Sequence, residues 1–551
     1  MWHDLDQSKK HYLRSAFTNF GRVFEISLRT NVFTMKYILS CFLVSFVFSI
    51  VAQEYPVQWS EMEKGGIPLI EILPISGKNF LTIRQSRKNL EVYKHSNFSI
   101  TSTGKISTKI KGNVAFYEGV KLVGDQLVVF LSDRREGQDL FFIQKYDDEL
   151  KPSGDAVQLA SYELERGFSR GSFDVITSEN KEFFAVIWNV PGKKSIQDKY
   201  GFKVFNSNLK EISEGDYRLP FAGDLSEINE HYLSNTGDYF ISVTEYSAPS
   251  TKKFFKNYMN YKALHLFHIT PDLTDQYTVD LKGRRVETMT MNSDNNRLFT
   301  ISGVFGEEQQ SGVAGLFYVR FDFDKNVIIN EGFEKFDKNF ITQDWSERQK
   351  AKADRNEGKG DPQLYNYRMR QSEILTDGSI VGSMEQYYVV ANTYYDGRGN
   401  AISSHSYYYN DIVAFKIGKE GGFDWLKKIN KEQVSTNDGG PFSSYCRFVD
   451  GTKIVFIFND NSENYDANGD FFQPKNDYVY AANYSTKRNV VAVVTLDVFS
   501  GEIGRKTFFD RAEVETIAVP KMFNVDYSKN EVLLYGIYRR NERFGIFKLK
   551  N

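Results

Sequence analysis

The sequence is short of cysteine. Of 551 residues only Cys41 and Cys446 are cysteine. Cys41 falls in an apolar leader segment, so one thiol remains beyond it and an intramolecular disulfide is excluded. A chain that leaves the cytoplasm without disulfides needs an ample core, since small secreted domains are the ones that depend on such staples. Proline is scarce, at 12 residues, which leaves little room for Pro-rich linkers. An excess of either charge is lacking too. The 69 basic and 71 acidic side chains give a net charge of −2, and no basic stripe stands out. That pattern argues against a nucleic-acid partner. The five histidines beyond the leader (His95, His231, His265, His268 and His405) are scattered. His265 and His268 share a strand, but three-residue spacing sends them to opposite faces. No metal-ligand cluster emerges from them.

One apolar run defines the leader. Met35-Lys36 precedes residues 37–52, an apolar stretch that ends on Ala52. A basic residue, an apolar run and a small residue read as a secretory signal peptide. Cleavage is expected after Ala52, with Ser49 as the alternative. Residues 1–34 have no place in such a signal and read as an upstream extension, with Met35 as the initiator. The rival reading is a membrane anchor with a basic tail, ranked second because a spanning helix needs about 20 apolar residues. Loss of 1–52 would leave a net charge of −5.

What the sequence has in abundance is aromatic residues, 15% of the chain, with 46 Phe and 33 Tyr. Aromatic and β-branched side chains fit the pleated, half-buried surface of a sheet. They fall into a pattern that repeats eight times: an apolar strand, a tight polar turn, a second apolar strand. The turns are centred near Gly77, Gly124, Glu179, Gly237, Asp294, Asp377, Asp450 and Lys529, and the second strands start near Phe80, Leu127, Phe183, Tyr239, Leu298, Ile380, Ile454 and Val532. Third strands are expected at 90–93, 140–143, 201–205, 264–269, 316–321, 412–417, 490–496 and 544–549. Weaker fourth strands follow, as at 156–159 and 277–281. Four antiparallel strands per unit make a propeller blade. The expected fold is therefore an all-β propeller, one domain over 53–551, with eight blades and seven as the alternative. The last unit shows only three strands, and Val57-Gln58-Trp59-Ser60 is expected to supply the fourth and close the ring.

Long connections are expected at 246–261, 302–314, 337–366, 386–410 and 460–488, all on the face that carries the strand 2–3 loops. Long loops over a rigid scaffold are where function usually sits. Residues 343–356 read as a short polar helix with Thr342 as its N-cap.

Polar and aromatic residues are densest in units six and seven. The candidate binding residues are Glu385, Tyr387, Tyr388, Tyr408, Asn410, Asp411, Asn437, Asp438, Asn459, Asp460 and Asn461. Tyrosine offers an apolar body with a polar tip, and beside Asn and Asp it can hold a sugar or a peptide. The same residues also cap turns and pack between blades. Asp466, Asn468 and Asp470 alternate as oxygen ligands of a calcium loop do, with Asp477 further on, but Phe471 stands where an EF-hand loop needs glycine. A solvated loop is the plainer reading, so calcium is the one cofactor left open. Residues 167–171 spell G-x-S-x-G, a nucleophile pattern that requires a strand before it and a helix after it. Here it lies between two strand units. Carboxylates such as Glu385, Asp411 and Asp438 have structural roles as their default reading.

Residues 365–521 resemble a group of exported propeller-like proteins of Bacteroidetes. The resemblance rests on Leu364-Tyr365-Asn366-Tyr367, Glu385-Gln386-Tyr387-Tyr388-Val389, Tyr408-Tyr409-Asn410-Asp411-Ile412, Trp425-Leu426-Lys427-Lys428-Ile429, Asn437-Asp438-Gly439-Gly440, Phe458-Asn459-Asp460-Asn461 and Pro520-Lys521. It implies a place in the envelope of a diderm bacterium, periplasmic or outer-membrane-associated. The chain is expected to end on a blade strand, without the immunoglobulin-like sorting domain of type IX cargo. The function expected is an exported, non-enzymatic binding or scaffold protein that holds an envelope protein on its long-loop face. The alternative is a carbohydrate-binding or carbohydrate-cleaving propeller that uses the tyrosines and acids of units six and seven.

Overall fold

A computed structural model describes residues 55–550, apart from 87–88, 124–125, 164–171, 191–196, 250–259, 271–273, 295–297, 309, 323, 326, 344, 346, 348–349, 352–354, 356–363, 396, 473–478 and 485–486. The leader and the 167–171 motif lie outside the described residues. Residues 57–551 form one compact unit.

Strand follows strand in chain order along each of the first seven sheets. The first sheet is Leu69–Ser76, Asn79–Ser86, Asn89–Ser96 and Ser99–Ile106. Sheets of the same plan cover 116–163, 172–218, 226–279, 284–335, 367–429 and 446–510. The eighth joins Ile517–Ala518 and Asn524–Asp526 to Glu531–Tyr538 and Asn541–Lys548. Its outer strand comes from the other end of the chain, with Gln58 opposite Ile546 and Trp59 opposite Gly545. The Ser60 amide donates to the Phe544 carbonyl at 2.8 Å, and Glu63–Lys64 continues the pairing.

The fold is a β-propeller. First strands of the second to sixth sheets lie beside one another in succession, and Asn524–Asp526 of the eighth lies beside Leu69–Ser76 of the first; successive sheets pack face to face. Leu81, Val92, Val129 and Leu131 join the first sheet to the second. Similar clusters join second to third, third to fourth, and so on to the seventh. Phe547 packs on Phe448 and Phe508 between seventh and eighth. Phe80 and Ile72 meet Leu533 and Phe544 between eighth and first. This sandwiching explains the sequence pattern. A middle strand such as Gly315–Asp322 is buried at every position, whereas the outer Glu211–Arg218 is mostly exposed or half-buried.

The expected second strands start within observed ones, and the expected third strands fall within observed ones except that 544–549 overruns Asn541–Lys548 by Leu549. The fourth strands are shifted slightly, to Val157–Glu163 and Thr274–Val279. Three connections differ from expectation. Residues 386–410 are not a loop but the outer part of a long hairpin, Ile380–Tyr395 and Ala401–Ile417. Its strands are rich in Tyr, Val and Ser and turn at a glycine-rich tip, which is a hairpin signal. Residues 302–307 belong to the strand Leu298–Glu307. The 337–366 connection holds a helix ahead of the expected one, Lys338–Thr342, while the described residues Glu347, Lys350, Ala351 and Arg355 are helical as expected for 343–356. Asp337 caps Lys338–Thr342, accepting from the Phe340 amide at 2.7 Å, so Thr342 ends that helix, and much of 343–356 lies outside the described residues.

Candidate functional site

Among the described residues the sixth sheet carries a feature the others lack. Its hairpin runs on past the neighbouring strands, with Tyr387 opposite Tyr409 and continuing to Tyr395 opposite Ala401. The first strand of the sheet pairs only as far as Gln386. A short strand, Val434–Thr436, borders Ser406–Tyr408. Beyond that the arm stands in water. Tyr395 is 73% exposed, Tyr394 54% and Val389 41%, and Val390 and Ile402 are exposed as well. Between Tyr387 and Asn410 the formally charged side chains are Asp396 and Arg398, both at the tip.

At the root of the arm lies a buried ion network. Glu385 and Lys431 are both fully buried and 2.9 Å apart. Lys431 Nζ also donates to the Tyr409 carbonyl at 2.6 Å and to Gln433 Oε1 at 3.0 Å, which satisfies its three N–H groups. Glu385 Oε2 accepts from Arg370 Nη2 at 2.6 Å, Arg370 Nε at 2.9 Å and Ser444 Oγ at 2.8 Å. Burial lowers the Lys431 pKa, and Glu385 opposes that shift. Gln433 Nε2 extends the network to the Asn459 carbonyl at 2.8 Å.

Above this network the surface is cationic and aromatic. Tyr387 and Tyr409 pack with ring centres 4.6 Å apart. The Arg368 guanidinium lies 4.7 Å from the Tyr387 ring centre. Lys521 Nζ donates to Tyr409 Oη at 2.9 Å and to the Gly440 carbonyl at 2.7 Å. Lys521 is exposed as a residue, but its ammonium end is crowded. Burial there, assisted by Arg370 and Lys431 and opposed by Glu385 and Asp438, lowers its pKa to about 8. Burial raises Tyr409 to about 12.

The expected site residues divide into three groups. Glu385, Tyr387, Asp411 and Asp438 meet at the root of the arm. Asp411 Oδ1 accepts from the Lys431 amide at 3.2 Å, and Asp438 Oδ1 accepts from Ser435 Oγ at 2.6 Å and the Gly440 amide at 2.8 Å. Tyr388 and Tyr408 stack with ring centres 4.6 Å apart. Nearby, Asn410 Nδ2 donates to Gln386 Oε1 at 3.2 Å. Asn437 ties the short strand to the arm, exchanging hydrogen bonds with the His405 backbone. Asn459, Asp460 and Asn461 are buried in the seventh sheet. Asn459 Nδ2 donates to the Phe442 and Ala518 carbonyls. Asp460 pairs with Arg505 and accepts from Tyr465 Oη at 2.6 Å. Asn461 caps the 3-10 turn Ser462–Asn464.

In the calcium-like segment, Asp466 Oδ1 accepts from the Asn468 and Asp470 amides at 2.9 Å. Asp470 pairs with Lys506. Phe471 lies against the Arg505 guanidinium at 4.0 Å. No group of three or more His, Cys, Asp or Glu side chains is placed to hold a metal among the described residues. Nor does any helix there have the length and apolarity to cross a membrane, which says nothing of β-barrels.

Arg368, Arg370 and Lys521 were missing from the sequence-based set. The alternation of Arg368 and Arg370 on a strand was the available signal, since residues two apart share a face. Lys521 carried none, because the fold alone brings it to Tyr409. A concavity of about 930 Å³ lies between the second and third sheets near Trp188, Lys203, Asp216 and Arg218. It gathers charges of both signs, and the adjoining 164–171 and 191–196 lie outside the described residues.

No family model matches the chain, and comparison with curated proteins finds no relative. Among solved structures it is similar to the polysaccharide lyase Uly1, at 8% identity and a TM-score of 0.35, over 87% of this chain and 90% of that one. Cobalt-substituted apocarotenoid oxygenase of Synechocystis matches at 8% identity and a TM-score of 0.30, over 82% and 93%. A subtype N10 neuraminidase-like protein of the isolate A/little yellow-shouldered bat/Guatemala matches at 9% identity and a TM-score of 0.26, over 63% and 98%. Scores this low carry nothing about activity.

Proposed function

We propose that this protein is an exported, non-enzymatic propeller of the bacterial envelope that holds a protein partner on its long-loop face, with the sixth-sheet hairpin as the contacting arm. The observation that carries the reading is the arm itself. It offers tyrosine, valine and isoleucine to water on a rigid ladder, among Ser, Asn and Gly. That is the composition of surfaces that bind protein, where tyrosine gives large contact area at small entropic cost. Its outer edge also leaves backbone groups open to an added strand.

The carbohydrate reading draws support from the stacked tyrosine pairs, but those rings already pack on one another. Glu385 is buried between cations, and Asp411 and Asp438 cap backbone amides. Two carboxylates facing an open cleft, which glycoside hydrolysis uses, are not formed by these three.

The test is a photoreactive p-benzoylphenylalanine placed at Tyr395 in the native host, with a control at Lys529 in a strand 1–2 turn. A discrete adduct from Tyr395 and none from Lys529 is expected. Equal labelling, or none at Tyr395, would reject the arm as the contact.

A further inference from the structure

The cations at the root of the arm do more than neutralise Glu385. Arg370 and Lys431 are committed to that carboxylate, but the Arg368 side chain makes no hydrogen bond among the described residues. It is exposed and held only over the Tyr387 ring. Lys521 uses two of its three N–H groups, on Tyr409 and Gly440. Arg370 also reaches both tyrosines, at 5.6 Å from the Tyr387 ring centre and 5.9 Å from that of Tyr409. Three cations thus gather around one aromatic pair whose rings are 4.6 Å apart. Nearby anionic groups are Glu385, which is buried and paired, Asp411, which accepts from the Lys431 amide, and Asp438, which caps its own turn.

We propose that this cluster is a carboxylate-binding socket, in which Arg368, Lys521 and the outer edge of Arg370 receive an acidic group of the partner polypeptide. The inference rests on the protein-partner reading above and specifies the partner's chemistry. A strand laid along the arm from Tyr395 towards Tyr387 arrives at these cations. An acidic side chain or a chain-terminal carboxylate there would meet fixed donors, and charge-assisted hydrogen bonds are the stronger kind. A peptide is favoured over an acidic sugar because the tyrosines pack against each other and against Arg368, rather than standing open as a stacking platform. The depressed Lys521 pKa fits such a site, since a bound anion would favour the charged amine.

The experiment uses the whole mature chain and a fluorescent hexaglutamate peptide, with a Gly-Ser hexapeptide as the neutral control. Saturable binding of the acidic peptide alone is expected, weakening as salt rises. Arg368→Gln with Lys521→Met should weaken it about tenfold or more, because each substitution removes a contact to a charged group. Arg370 is left intact, since its removal would strand Glu385 in the core. The second readout is the Lys521 pKa, followed by NMR of 13C-methylated lysine, and it should rise from about 8 when the peptide binds. An unmoved Lys521 pKa, or equal affinity in the double variant, would overturn the socket. Tighter binding of oligogalacturonate at the same residues would overturn the peptide assignment. The socket and the arm fail separately: a Tyr395 adduct retained without acidic-peptide binding leaves the arm standing.

Discussion

Single residues in this propeller carry ionisation states set by burial. Glu230, on the first strand of the fourth sheet, has its pKa raised to about 8 by burial, against one opposing hydrogen bond from the Met291 amide. Its neighbour His231 is lowered to about 4 by burial. The folded protein keeps a proton on Glu230 that the unfolded chain releases above its ordinary pKa of 4.5, so stability falls as pH climbs from there to about 8. His231 works the other way: its contribution is lost as pH falls from 6.5 to about 4. Above 6.5 Glu230 acts alone of the two. Glu230→Gln is therefore expected to remove roughly 1–2 kcal/mol of the decline in unfolding free energy between about pH 6.5 and 8. Urea titrations across that range check it, and an unchanged slope would contradict it. Neither residue announced itself in the sequence, because burial at an inner strand depends on sheets far away in the chain. Asn459 and Asp460 show the same limit from the other side. As letters they suggested ligand contacts; in the fold they hold loops and Arg505.

At the scale of elements the sequence was more legible. Middle strands sandwiched by neighbours must be apolar throughout, and tight turns need Gly, Asn or Asp, so the repeat was visible without coordinates. The arm is the exception, because its Tyr-Asn-Asp density matches a polar loop and masks the alternation beneath it. Its exposed outer half makes few contacts with the rest of the sheet. Replacing residues 392–404 by Asn-Gly keeps Ala391 opposite His405 and suits a two-residue hairpin turn. The change in unfolding free energy should stay within about 0.5 kcal/mol, as for surface changes generally. A much larger loss in denaturant titration would mean that the arm supports the ring.

The whole molecule depends on a seam between distant parts of the chain. Arg84, in the first sheet, and Glu542, in the eighth, are both buried and 2.5 Å apart. Arg84 also donates to the Ile67 carbonyl at 3.1 Å, and Glu542 accepts from Tyr535 Oη at 3.1 Å. Arg84→Met would leave Glu542 charged in the core, and loss of one partner of such a pair costs about 3–5 kcal/mol. Replacing Glu542 by leucine in the same chain should restore part of that stability, which thermal unfolding of the two variants would show. The seam's outer strand was legible in advance because the eighth unit lacked a fourth strand. Its ion pair was not, since nothing local links Arg84 to Glu542. Ser60 and Arg543, which meet at this seam, are 483 residues apart. A ribosome delivers Gln58 and Trp59 long before their partners Ile546 and Gly545. That strand must wait, unpaired, while every sheet between it and Asn541–Lys548 is made, so the ring can lock only once its eighth sheet has been read.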